Sequence, residues 1–168
     1  MYIIKYYNHE DNEMWKKIRT TLGCAVVLAF LVVSGSSAFA DDSAKASLYD
    51  RLGGIYAIAT VVDEFIERIL VNDTLNANSA ISDARFTVPK AGLKYQVTSM
   101  VAWATGGPEN YAGRSMLESH AHLGITEAEW DEMAIVFVAV LNDFNVPAAE
   151  QEELLAVVGT TQADIVSR

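Results

Sequence analysis

Seven apolar residues, Ile55, Ile58, Val62, Phe65, Ile66, Ile69 and Leu70, recur at spacings that place them on one face of a helix. A stripe of that width is stable only when another element covers it. Gly53-Gly54 punctuates the start of this helix and Asn72-Asp73 its end. The same period returns at Leu93, Val97, Met100, Val101 and Ala104, and Gly106-Gly107-Pro108 stops it. Thr126 followed by Glu129 forms a capping box, which opens a helix whose inward face is Trp130, Met133, Phe137, Val140, Leu141 and Phe144. Pro147 suits the first turn of a last helix, with Leu154, Leu155 and Val158 inward and Glu150, Glu152 and Glu153 near its positive end. A short helix is expected over about 113–122, whereas residues 74–90, polar and small with Pro89, read as a loop or irregular turns. No alternating strand pattern competes, so the fold class is all-α.

The N-terminal quarter is organised differently. Lys16, Lys17 and Arg19 precede an apolar run from Leu22 to Val33, and small residues then lead to Ala38-Phe39-Ala40. That succession is a secretory signal peptide over residues 14–40 with an A-x-A site, giving a mature chain from Asp41 to Arg168 in the periplasm or outside the cell. The apolar run is shorter than the roughly 20 helical residues that span a bilayer. The alternative is an uncleaved segment that keeps the protein on the membrane. Residues 1–13 sit awkwardly ahead of such a leader, so Met14 is the expected start.

Residues 41–168 hold 8 lysines and arginines against 19 acidic residues, a net charge of −11. Nucleic acid is excluded as a partner, because neutralising phosphates takes basic surface. A basic protein, such as a cytochrome acting as redox partner, would suit the charge better. The only cysteine, Cys24, falls in the leader, ahead of its apolar run rather than at its end, so it does not mark a lipoprotein. The mature chain therefore has no disulfide, no thiol nucleophile and no Cys-x-x-Cys-His for covalent haem. Core packing or a bound cofactor has to stabilise it.

Two of the three histidines, His120 and His122, share the stretch 113–125. Taken alone, each reads as a surface or structural histidine. The order of motifs around them is more specific. Ser47-Leu48-Tyr49-Asp50-Arg51-Leu52-Gly53-Gly54, Val62-Asp63-Glu64-Phe65, Thr105-Gly106-Gly107-Pro108 and Tyr111-Ala112-Gly113-Arg114-Ser115-Met116 with His120 together resemble the group I truncated haemoglobins, from about Ser47 to Val166. The resemblance implies a truncated globin, a two-over-two helical sandwich with haem b between its layers. It also implies that His120 is the proximal ligand of the haem iron and that Met116, one turn earlier, packs on the haem. A neutral imidazole suits that role, with its second nitrogen oriented by an acceptor. Leu93, Val97, Met100, Met116, Ile125 and Phe137 are the candidate apolar lining. On a continuous helix His122 lies about 200° round from His120, so both cannot reach one iron from the same side. A partner to the ligand ring, a propionate neighbour and a plain surface residue are its alternatives.

The distal side departs from the family pattern. Ile66 stands where these globins usually carry a tyrosine, and ungapped alignment from Gly106-Gly107 puts Leu93 and Val97 at the customary polar distal positions. Asn78-Ser79 replaces the usual phenylalanine pair, and Phe86 is the nearby ring available for its packing job. The remaining distal donors are Lys94, Tyr95, Gln96 and Thr98; all four suit a solvated helix side, and Gln96 is adjacent to the pocket face. The expected function is reversible binding of a diatomic gas, oxygen or nitric oxide, with carbon monoxide as a further ligand. A haem enzyme for nitric oxide dioxygenation or peroxidase chemistry is the alternative. The chain resembles no flavin or nicotinamide site and offers no distal His or Arg for proton handling. A haem-free globin used as an interaction module is the third reading, against which the proximal motif stands.

Overall fold

Ser47 accepts the Asp50 amide on its hydroxyl at 3.1 Å and so starts the first helix of the computed structural model, which describes residues 46–167. The leader expected over 14–40, its Ala40/Asp41 cleavage point and residues 1–13 lie outside the described residues. Helix α1 (Leu48–Arg51) is one turn long, and Gly53, at a left-handed φ of +91°, turns the chain into α2 (Gly54–Leu70). Two helices follow, α3 (Asp73–Asn76) and α4 (Ser79–Thr87), then α5 (Lys90–Ala104). Beyond a loop come α6 (Met116–His120), a 3₁₀ turn (Ala121–Leu123), α7 (Glu127–Asp143), α8 (Ala148–Gly159) and the short α9 (Gln162–Ile165). No strand occurs among the described residues.

The α2 stripe is covered mainly by α5 and α7. Ile58, Val62 and Ile66 bury themselves with Ala102, and Leu93, Val97 and Val101 pack against that group. Ile58, Val62 and Ile66 each contribute about 1.5–3 kcal/mol on burial. Charged contacts fix the relative direction of α2 and α5. Lys94 reaches Asp63 at 2.6 Å and Glu67 at 2.5 Å, Lys90 reaches Glu67 at 2.9 Å, and the Tyr49 amide donates to the Thr105 carbonyl at 2.9 Å. The start of α2 therefore lies by the end of α5, which makes the pair antiparallel. Phe65 meets Phe137 of α7 edge-on, ring centroids 5.0 Å apart. An apolar cavity of about 40 Å³ remains where α2, α5, α7 and α8 meet, bounded among others by Ile58, Val101, Leu141 and Leu154.

Four sequence expectations change. Residues 74–90 are largely helical, because the side chains of Asn72 and Asn78 cap α3 and α4; α4 buries no residue, so its sequence carries no apolar stripe to betray it. Phe144 does not belong to the inward face of α7: the helix ends at Asp143 and the ring is 40% exposed. Thr98, placed on a solvated helix side, is 9% exposed, since the line Lys94, Thr98 and Ala102 faces α2. The helix expected over 113–122 is α6 alone, and the chain tightens to 3₁₀ immediately after His120.

Candidate haem-binding site

Helix α6 exists because Ser115 and Glu118 cap it reciprocally. The Glu118 amide donates to Ser115 Oγ at 3.2 Å, while the Ser115 amide donates to Glu118 Oε2 at 2.9 Å. Five residues later the helix delivers its last member, His120, half-buried. His120 Nδ1 lies 2.8 Å from the Met116 carbonyl oxygen, which can only accept, so Nδ1 carries the proton. Burial pushes the imidazole below its ordinary range; the Met116 contact opposes this, and the nearby charges of His122 and Arg114 add to it. The ring is neutral, with its Nε2 lone pair uncommitted to Met116. That is the protonation state an axial iron ligand requires.

The apolar candidates divide between two clusters. Leu93 and Val97 are half-buried against Ile58, Val62, Ile66 and Ala102. Met116 is half-buried against a second group, Ile125, Trp130 and Ile165, together with Ile81, Leu123 and Met133. Met100 is half-buried, while Ile125 and Phe137 are already covered by protein. The half-covered apolar side chain of Met116, in contact with a neutral imidazole through its backbone, and those of Leu93 and Val97 are of the chemistry that a flat, apolar macrocycle needs. Among the described residues no group of three or more His, Cys, Asp and Glu is placed to hold a metal ion.

The distal candidates are not equivalent. Ile66, 4% exposed, sits inside the first cluster. Lys94 is committed to Asp63 and Glu67, Thr98 is buried, and Tyr95 is 70% exposed. Gln96 is exposed and free of those commitments. Phe86 does not replace the missing aromatic pair: it is 76% exposed, with the Arg85 guanidinium 4.7 Å from its ring centre. His122 is exposed in the 3₁₀ turn and does not share a continuous α-helix with His120.

Sequence reasoning missed two contributors. Arg114 stands close enough to His120 to act on its charge and makes no salt bridge to another described residue. Asn78 reaches the Leu123 carbonyl just beyond His120, at 3.0 Å. Its signal in the sequence was an Asx residue ahead of Ser79, a helix-capping position.

Residues 47–167 match the family model of the bacterial-like globins. Over 117 residues the chain is 32% identical to a group 1 truncated haemoglobin of Synechocystis, covering 67% of this chain and 90% of that one. The chain belongs to the group 1 truncated haemoglobins. A second member, from Mycolicibacterium paratuberculosis, is 30% identical over 123 residues, 73% of this chain and 85% of the relative. The 2/2 haemoglobin of Synechococcus, solved in the cyanomet state with covalently attached haem, superposes with a TM-score of 0.61 at 27% identity, over 73% of this chain and all of that one. The truncated haemoglobin of Tetrahymena pyriformis superposes at 0.61 with 22% identity, over the same shares, and attests the fold. This truncated haemoglobin accordingly takes haem b as its cofactor and works by haem-based gas binding.

Proposed function

We propose that this truncated haemoglobin holds the haem iron through Nε2 of His120 and reversibly binds oxygen or nitric oxide in an extracytoplasmic compartment. The observation that carries the reading is the His120–Met116 contact, which presents a neutral ring with its proton on the nitrogen away from the metal. Haem supplies the iron on which a small gas is held. The chain supplies the rest. Met116, Leu93 and Val97 keep water from the porphyrin faces, and Arg114 gives a propionate a charged partner. Ile66 offers no hydrogen bond to a gas ligand, which leaves an open apolar distal side. The extracytoplasmic assignment rests on the leader sequence ahead of residue 41.

Protein purified from a haem-fed culture should show a Soret band that His120→Ala abolishes and His122→Ala preserves. The reverse pattern overturns the assignment. For the compartment, expression from Met14 in a Gram-negative host should yield a periplasmic protein beginning at Asp41; an intact chain pelleting with membranes overturns it.

A further inference from the structure

Asn78 uses both ends of its amide. Its Oδ1 accepts from the amides of Ala80, at 3.0 Å, and Ile81, at 3.4 Å, and so starts α4. Its Nδ2 donates across 45 residues to the Leu123 carbonyl at 3.0 Å. Leu123 closes the 3₁₀ turn that begins directly after His120, and Gly124 follows in the left-handed region. At the start of α7 the Glu129 carboxylate receives the amide of Thr126 at 2.7 Å. Ile81, on the turn that Asn78 caps, packs with Met116 and Leu123 on the Ile125–Trp130–Ile165 cluster. One amide thus joins the start of α4 to the segment just after His120.

A five-residue helix cannot hold a side chain still by itself, since every one of its backbone groups is near an end. The orientation of His120 depends on what anchors the chain on either side. Ser115–Glu118 anchors the near side. We propose that Asn78 is the anchor on the far side, a positioning residue that sets the orientation of the His120 ring toward the haem iron. This rests on the reading of His120 as the ligand. The chain would then use a polar clamp where its relatives place an aromatic pair, with geometric control passing from ring packing to a directional hydrogen bond.

The test uses Asn78→Ser holoprotein. Serine still caps α4 but is too short to reach Leu123, so folding is preserved while the cross-tie is lost. Resonance Raman of ferrous wild type should show an iron–imidazole stretching band that His120→Gly removes and that free imidazole restores. That result establishes the ligand independently of the clamp. In Asn78→Ser the band should shift or broaden, and haem transfer to excess apomyoglobin should run roughly two- to tenfold faster, the span expected for one lost hydrogen bond. An unchanged band and transfer rate overturn the clamp, whatever happens to the melting temperature. Persistence of the wild-type band in His120→Gly without added imidazole overturns the ligand reading, and the clamp with it.

Discussion

His120 hydrogen-bonds the carbonyl of the residue one helical turn before it, Met116, and through that single 2.8 Å contact its ring is held to one tautomer. The residue that orients the ring through its backbone also packs its side chain against the Ile125–Trp130–Ile165 cluster. The two functions cannot be separated by moving α6, because both travel with the same turn.

Since haem binds the folded chain and not the unfolded one, it should raise the melting temperature. At a free haem concentration ~1,000-fold above Kd the gain is about 4 kcal/mol, on the order of ten degrees for a domain of this size. Calorimetry of apo and haem-loaded protein should show that gap in wild type and none in His120→Ala. A gap of equal size in the variant would place the ligand elsewhere.

Ile66→Tyr should slow oxygen release. A hydrogen bond to a partly charged acceptor is worth about 1.5–3 kcal/mol, which is roughly ten- to a hundredfold in rate. Carbon monoxide release should change far less. The ring has to enter a cluster in which Ile66 is nearly fully buried, so the variant is also expected to be less stable. Stopped-flow measurement on wild type, Ile66→Tyr and Gln96→Leu decides between two pockets. Slow release from wild type that Gln96→Leu accelerates would make Gln96 the donor.

Acid should weaken the start of α7. The Thr126 backbone amide, then the Thr126 hydroxyl and Asn78, hold the Glu129 carboxyl below its ordinary 4.5. A carboxyl with a depressed folded value contributes stability in full above about 4.5, and that contribution is lost as pH falls through the folded value. Glu129→Gln keeps the capping geometry but not the titration. It should cost about 0.3–1 kcal/mol near neutrality and give a shallower acid limb in urea melts. Parallel limbs for the two proteins would show that the carboxylate contributes no pH dependence.

Gly107→Ala should destabilise by about 1–3 kcal/mol. A Cβ there would stand 2.6 Å from Tyr49 Cδ2, 2.7 Å from the Ala102 carbonyl oxygen and 2.7 Å from Glu109 Oε2. Side chains can yield, but the Ala102 oxygen is backbone and already accepts from the Gly107 amide at 2.8 Å. Displacing Tyr49 would also strain the bond its hydroxyl oxygen accepts from the Ile55 amide. A thermal melt matching wild type would show that the turn can relax.

The four long helices and the Thr126–Glu129 box were legible because each leaves a periodic or local trace in the sequence. His120 could be singled out only as part of a constellation, since a lone histidine carries no period; its role as ligand is the reading proposed above. Helix α4 was not legible, because it buries none of its residues and its polar and apolar residues balance. The burial of Thr98 was hidden for another reason: a β-branched hydroxyl fits either a solvated or a helix-facing position, and only the pairing of α5 with α2 decides which. The Asn78 clamp joins residues 45 apart, and no local pattern reports a contact of that range.

Helix α1 is a single turn, yet Arg51 grips both Glu150, at 2.9 Å, and Glu153 of α8, partners up to 102 residues further along the chain. Synthesis runs from the N-terminus, so α1 leaves the ribosome long before the carboxylates that secure it have been made. This tie can close only after the tail is free, which makes it a contact of the finished chain. A polypeptide that is held unfolded until complete loses nothing by this order, whereas one cut short before α8 leaves the Arg51 guanidinium without either carboxylate and its first helix held only at the Tyr49–Thr105 bond and its apolar contacts.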